Sequence, residues 1–114
     1  MDASKFIIRG VHLDLTESLY RAAFEKAARL FRLNPRIARV MIDLEIDQSR
    51  GPADRFIARG RIHLDGSEMI ASAHSENTYK ALDLLIETLD ALLRTRDTLR
   101  AKEEQPAGDL KVAS

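Results

Sequence analysis

Two short stretches decide how this chain folds. Residues 10–21 read G-V-H-L-D-L-T-E-S-L-Y-R, and residues 76–83 read E-N-T-Y-K-A-L-D. In the first stretch an extended segment leads into a helix, because the Thr16 hydroxyl can cap the free amides of a first turn and Glu17 suits the positive end of a helix dipole. The second stretch begins another helix directly after a predicted strand pair.

Hydrophobic periodicity predicts that the first helix extends from about residue 17 to residue 33. Asn34-Pro35 ends it, because a residue that precedes proline avoids the α region. Before the helix, residues 5–9 are β-branched and aromatic, which predicts a strand, with a bend at Gly10 and an extended continuation to Leu15. One arc of the helix is apolar and is expected in the core: Leu19, Tyr20, Ala23, Phe24, Ala27, Leu30 and Phe31.

The middle of the chain alternates between apolar and polar residues, which predicts strands at 38–47, 55–65 and 68–74. Asp65-Gly66 between the last two is a strong hairpin signal. The second helix is expected to begin near Glu76 and to continue to about Glu104. Its expected buried stripe is Tyr79, Leu82, Leu85, Ile86, Leu89, Leu92 and Leu93.

This order of elements predicts an α+β fold of the form β-α-β-β-β-α. Each helix has one apolar arc and the strands share one strongly apolar face, so we expect a four-stranded sheet with two helices packed on one face. The first two strands are expected to be parallel through a right-handed crossover. One domain should cover residues 1–104, and residues 105–114 are expected to form a flexible tail.

The composition excludes several classes of protein. Of 114 residues, 45% are hydrophobic and 32% are charged, which is typical of a soluble globular domain. There is no cysteine, no apolar run long enough to span a membrane and no signal-peptide pattern, so we expect a cytoplasmic protein without a membrane partner. Because 18 basic residues balance 18 acidic residues, the global charge does not indicate a nucleic-acid partner.

No group of residues suggests catalysis. His12, His63 and His74 lack metal-ligand spacing and are expected at the surface. The nearby acids of the second helix lie on a predicted exposed arc without a cleft, so they are read as solvated charges. We therefore predict a protein that is not an enzyme, with no cofactor, no metal and no catalytic residue.

The two helix entrances resemble those of the ribosome-associated translation inhibitor family, also called ribosome hibernation factors or sigma-54 modulation proteins. The resemblance covers roughly residues 4–100. It rests first on Gly10, Leu15, Thr16, Leu19 and Leu30, and more strongly on the run Tyr79-Lys80-Ala81-Leu82-Asp83 that begins the last helix. The chain resembles the short members of the family, which lack a C-terminal dimerisation domain.

The resemblance implies a function. Family members bind the small ribosomal subunit in the channel used by mRNA and tRNA, where they inhibit translation and preserve idle ribosomes. They use basic residues along both helices to contact rRNA phosphates, so the implied partner is rRNA and not DNA. The candidate nucleic-acid-binding residues of this chain are Arg21, Lys26, Arg29, Arg32, Arg36, Arg39, Lys80, Arg94, Arg96, Arg100 and Lys102.

The charge pattern agrees with this role in one helix and departs from it in the other. Between residues 21 and 39, six basic residues face one acid, Glu25, which gives a local net charge of about +5. In the second helix the outward arc is largely acidic, through Asp83, Glu87, Asp90 and Asp97. Where the family commonly has Lys or Arg, this chain has Thr88, Ala91, Thr95 and Asp97.

Alternative interpretations remain for each surface. The arginines of the first helix also suit a solvated helix face. Arg55, Arg59 and Arg61 alternate on one strand opposite acids of its neighbour, so cross-strand ion pairs explain them. Tyr20 and Tyr79 fit the core better than a base-stacking role. Met41 and Ile57 interrupt the polar sheet face, so the rival hypothesis is a protein-interaction module, or a homodimer through the outer sheet face.

Overall fold

The computed structural model describes the backbone of residues 5–103 and the side chains of residues 5–96. The tail expected at 105–114 lies outside these residues. The elements are β1 (Phe6–Val11), α1 (Glu17–Leu33), β2 (Arg39–Ile46), β3 (Phe56–Leu64), β4 (Ser67–Ser75) and α2 (Thr78–Glu103). This is the predicted order β-α-β-β-β-α.

The four strands form one mixed sheet in the order β1-β2-β3-β4. β1 is parallel to β2, with Phe6 opposite Val40, because α1 carries the chain back across the sheet. The other neighbours are antiparallel. The hairpin between β3 and β4 turns at Gly66, whose φ of 69° suits a residue without a Cβ atom. The predicted sheet is therefore confirmed.

Both helices cover the same face of this sheet, and the core lies between the two layers. Alternate sheet residues such as Val40, Ile42 and Leu44 have no solvent exposure. Each large aliphatic side chain buried in this way contributes about 1.5–3 kcal/mol. From the helices, the buried residues are Leu19, Ala23, Ala27 and Leu30 of α1, and Ala81, Leu82, Leu85, Ile86, Leu89 and Leu93 of α2.

The margins of both apolar stripes lie outside this core, so the placement of the two tyrosines there was wrong. Tyr20 is 39% exposed and Tyr79 is 47% exposed, and Leu92 is exposed as well. The Tyr20 ring lies at the edge of the core, where its centroid is 6.2 Å from that of Phe24 and 6.0 Å from that of Phe6 on β1. A helical wheel gives the direction of a side chain but not the width of the surface that covers it.

The helix entrances are capped by side chains. The Thr16 hydroxyl accepts a hydrogen bond from the Leu19 amide at 3.2 Å, as predicted. α2 begins two residues later than expected, because Asn77 is its cap and accepts from the Lys80 amide at 2.8 Å. Glu76 therefore precedes the helix and its cap.

The bend before α1 falls at His12 rather than at Gly10. His12 has a φ of 56°, whereas Gly10 stays within β1. Gly10 is required for another reason, since a Cβ atom there would overlap the carbonyl oxygen of Leu13. The chain therefore turns back over its own strand end to reach Thr16.

Gly60 on β3 allows α2 to lie close to the sheet. A Cβ atom at this position would be 2.9 Å from Leu89 Cδ1 and 3.1 Å from both Leu85 Cδ atoms. These distances are shorter than normal van der Waals contacts, so any larger side chain would push the helix outward or force its leucines from their rotamers.

We therefore expect Gly60→Val to lower the free energy of unfolding by about 1–3 kcal/mol through overpacking. The matched control is Gly51→Val, because a Cβ atom at Gly51 meets nothing within 4 Å. That change should stay within about 0.5 kcal/mol of the parent. Urea unfolding followed by circular dichroism measures both, and equal losses would show that Gly60 does not limit the approach of α2.

Candidate nucleic-acid interface

The two helices run in the same direction, because each follows a strand that points the same way along the sheet. Their contact includes an ion pair between Lys26 of α1 and Asp83 of α2. Six residues beyond this pair lie Arg32 on α1 and Leu89 on α2, so the C-terminal half of α1 lies beside the N-terminal half of α2. The basic residues near both helix ends are thereby brought to one end of the molecule.

Four candidate residues are engaged by carboxylates of the chain itself. Lys26 is held by Asp83, and Arg21 Nη2 lies 3.0 Å from Glu17 Oε1. The other two pairs join Lys80 to Glu76 at 2.6 Å and Arg94 to Asp90 at 3.3 Å. The hydrogen bond from Lys80 raises its own pKa and lowers the pKa of Glu76. Exposed pairs of this kind are weak, but each places a negative charge beside a candidate contact.

Three candidates are not engaged by a carboxylate. Arg29, Arg32 and Arg36 are exposed, and none of them forms an ion pair with another described residue. They lie on the last turns of α1 and in the loop that follows it. We call this group, together with Arg94 and Arg96 of the neighbouring helix, the basic end.

The remaining candidates are not part of the described basic end. Arg39 alternates with the buried Val40 at the start of β2, so it lies on the sheet face opposite the helices. Arg100 and Lys102 belong to the helical backbone of α2, but their side chains lie outside the described residues. The cluster between residues 21 and 39, continuous in sequence, is therefore divided in space.

The acidic arc of α2 also differs from the expected arrangement. Asp83 lies against α1 through its pair with Lys26, although its side chain is still half exposed. Asp90 lies seven residues further along the same side of the helix, where it pairs with Arg94. The groove between the helices therefore has alternating charges, and the free positive charge lies at its C-terminal end.

The outer face of the sheet has few free charges. Arg9 donates two hydrogen bonds of 2.9 Å to the carboxylate of Asp43, Arg59 pairs with Glu45, and Arg61 Nε lies 3.8 Å from Glu68. The expectation of an ion pair with an acid of β2 is confirmed for Arg59, whereas Arg61 pairs across to β4 instead. For Arg55 it was wrong, since its described hydrogen bond is to the Arg50 carbonyl oxygen, at 3.4 Å.

Ile57 was expected to be exposed on this face, but it is buried. In the sheet register it lies between Glu45 and His74. Arg59 holds Glu45, and Asp54 from the preceding loop forms a 2.9 Å hydrogen bond with His74. These paired side chains flank Ile57, so it is not available for a contact with another protein.

The Arg9 guanidinium holds the pKa of Asp43 below its usual range, chiefly through its hydrogen bonds. Because the folded-state pKa is the lower one, the pair stabilises the fold above the unfolded-state pKa of about 4, and this contribution is lost as the pH falls through the folded-state value. We expect Asp43→Asn to reduce the free energy of unfolding at pH 7, by less than about 1 kcal/mol. At pH 2–3 the difference should shrink in urea titrations; a constant difference would contradict this.

Other kinds of site find no support in the described part of the chain. Among those residues, no three His, Cys, Asp or Glu side chains are placed to hold a metal ion. Within the same range, no helix is both long enough and apolar enough to cross a membrane.

The chain is a protein of the α+β class with one basic end, and comparison with known proteins identifies its family. The model of the family described as sigma 54 modulation protein / S30EA ribosomal protein matches residues 6–101. The chain belongs to this family, which confirms the resemblance drawn from the two helix entrances. The family comprises ribosome-associated factors rather than enzymes, as predicted.

Relatives with a similar sequence are named ribosome hibernation promoting factor. The ribosome hibernation promoting factor of Azotobacter vinelandii is 32% identical over 98 residues, which cover 86% of this chain and 82% of that protein. The protein of the same name from Salmonella typhimurium is 31% identical over 94 residues, covering 82% of this chain and 94% of that protein.

Solved structures show the same fold. A ribosomal subunit interface protein from Coxiella burnetii superposes with a TM-score of 0.72 at 24% identity, covering 82% of this chain and 98% of that one. The N-terminal domain of Protein Y from Thermus thermophilus gives 0.63 at 19% identity, covering 78% and 93%.

Proposed function

We propose that the protein is a ribosome hibernation factor that binds the small ribosomal subunit through the rRNA backbone. Bound in the channel used by mRNA and tRNA, it would inhibit translation and preserve idle ribosomes in the cytoplasm. Family membership and the names of the relatives support a ribosome-associated role. The choice of subunit and the blocking of the channel are our inference.

The observation that carries this proposal is the group Arg29, Arg32 and Arg36. Guanidinium groups without a carboxylate partner are free to form bidentate hydrogen bonds with phosphate oxygens. Because such contacts go to the backbone, they require the shape of an RNA helix but little of its base sequence. Arg94 and Arg96 on the neighbouring helix extend this positive surface toward the C-terminal turns of α2.

The mechanism requires no chemical step. Each arginine that neutralises a phosphate releases condensed counterions, so binding is favourable at low salt and weakens as salt rises. The rigid helix layer then occupies space that mRNA or tRNA would need. The candidates that carboxylates already engage would contribute less, because each ion pair must first be broken; they are Arg21, Lys26, Lys80 and Arg94.

We expect Arg29→Glu together with Arg32→Glu to weaken binding to small subunits at least tenfold. Loss of two phosphate contacts should also reduce the slope of log K against log salt by roughly 1.4–1.8. Co-sedimentation of the purified protein with separated small and large subunits, at several salt concentrations, measures both effects.

The matched control is Arg50→Glu together with Arg59→Glu. Both residues are exposed, Arg50 in the loop after β2 and Arg59 on the outer sheet face, so they lie away from the basic end, and the change in net charge is the same. The control should bind like the parent. Equal loss in both variants would mean that net charge alone decides binding, and failure of the parent to sediment with small subunits at low salt would overturn the proposal.

If the channel is blocked, saturating protein should also prevent tRNA binding to small subunits in a filter assay.

Breaking the Lys26–Asp83 pair is expected to strengthen binding to small subunits, whereas the changes at Arg29 and Arg32 weaken it. Asp83→Asn removes the carboxylate that holds Lys26 and one negative charge from the groove between the helices. Binding to small subunits should therefore become several-fold tighter, most clearly at low salt. Asp14→Asn is the control, since Asp14 is exposed and far from the basic end. Unchanged affinity for Asp83→Asn would place the RNA away from this groove.

A second candidate function is a protein-interaction or homodimerisation module that uses the outer sheet face. One row across this face contains Ile7, Met41, Arg61 and Ile70, of which Ile7 and Ile70 are exposed. The surrounding ion pairs and the burial of Ile57 reduce the free apolar surface there. This role would leave ribosome binding weak or absent, so co-sedimentation with small subunits distinguishes the two functions.

A further inference from the structure

The two edges of the sheet differ. β1 has six residues and contains Arg9 and Gly10, whereas β4 has nine residues in unbroken register with β3. Natural edge strands are usually short, or carry lysine, proline or a bulge that prevents pairing with another chain. β4 reads S-E-M-I-A-S-A-H-S and has none of these features. Its outer edge therefore offers a long row of backbone donors and acceptors.

The side of α2 above this edge is apolar as well. Asp83 marks the side of α2 that faces α1, and Leu84, Thr88 and Leu92 lie on the side turned away from it. Leu84 and Leu92 are exposed, and the Thr88 hydroxyl donates to the Leu84 carbonyl oxygen at 2.8 Å, so this hydroxyl already has a partner within the helix.

We infer that the β4 edge, with this flank of α2, is a contact surface for a second copy of the same chain. The two β4 strands would pair antiparallel about a two-fold axis through Ala71, the middle residue of the strand. A two-fold contact uses the β4 edge of both copies. No β4 edge is then left to pair with a third copy, so assembly stops at a dimer. The result is one eight-stranded sheet. This contact differs from one through the outer sheet face, and it does not depend on ribosome binding.

The register centred on Ala71 pairs compatible side chains. Glu68 lies opposite His74 of the second copy, twice by symmetry, and Met69 lies opposite Ala73. Ile70, which is 63% exposed in the single chain, lies opposite Ser72 and diagonal to the second Ile70. No like charges face each other, and the small side chains allow the strands to approach. The sequence of β4 is thus complementary to itself.

The helix layer fits the same axis. α2 packs over β4 and β3, and paired strands are about 4.8 Å apart, so the two α2 helices would lie roughly 10–12 Å from each other. Packed helices are 8–10 Å apart. Leu84, Thr88 and Leu92 of both copies would therefore face each other above the joined strands.

Sedimentation equilibrium of the full chain without ribosomes tests this inference. At tens to hundreds of micromolar we expect a concentration-dependent mass that approaches twice the 12.8 kDa of one chain. Leu84→Lys should raise the dimer dissociation constant at least tenfold, because it places two like charges beside the axis. Leu33→Lys is the matched control: Leu33 is 65% exposed but lies at the end of α1, so the constant should not change.

The register is tested by cross-linking, which is simple because the chain has no cysteine. Under mild oxidation, a mixture of Ile70→Cys and Ser72→Cys chains should form mixed disulfide dimers faster than either variant forms dimers alone, since these positions lie opposite each other. A monomer at every concentration would overturn the inference. So would equal effects of Leu84→Lys and Leu33→Lys, or no preference for the mixed disulfide.

Discussion

The burial of one sheet face under two parallel helices is the constraint on which the rest of the structure depends. Each strand presents alternate residues to this layer, and Gly60 leaves the space into which Leu85 and Leu89 of α2 fit. Because the inward residues are fully buried, a shift of one residue in strand register would expose them. The position of α2, and with it the direction of every charge on that helix, is fixed by this apolar contact.

The packing of the helices then determines which charges are free. α1 and α2 meet with Lys26 next to Asp83, so a basic residue of one helix is neutralised by an acid of the other. Pairs within each helix engage Arg21, Lys80 and Arg94 in the same way. Arg29, Arg32 and Arg36 form no ion pair with a described carboxylate. A protein with a net charge of zero thus has one strongly positive end.

The two sides of α2 suit different partners. The side toward α1 leads to the basic end and favours RNA phosphates. The opposite flank is neutral and apolar and continues into the β4 edge, where it favours protein. Since these surfaces lie on opposite sides of one helix, a dimer through β4 would present two basic ends.

The sequence by itself determined the fold. Alternation in the strands, the Thr16 cap and the Asp65-Gly66 turn are local signals, and local signals are sufficient to place elements and the apolar face of each. The role of Gly60, the bend at His12 and the division of the residue 21–39 cluster were decided only by tertiary structure. They depend on contacts between residues distant in sequence, such as Asp83 beside Lys26 or Leu89 beside Gly60. A contact between charges depends on distance in space, which the order of residues along one element does not contain.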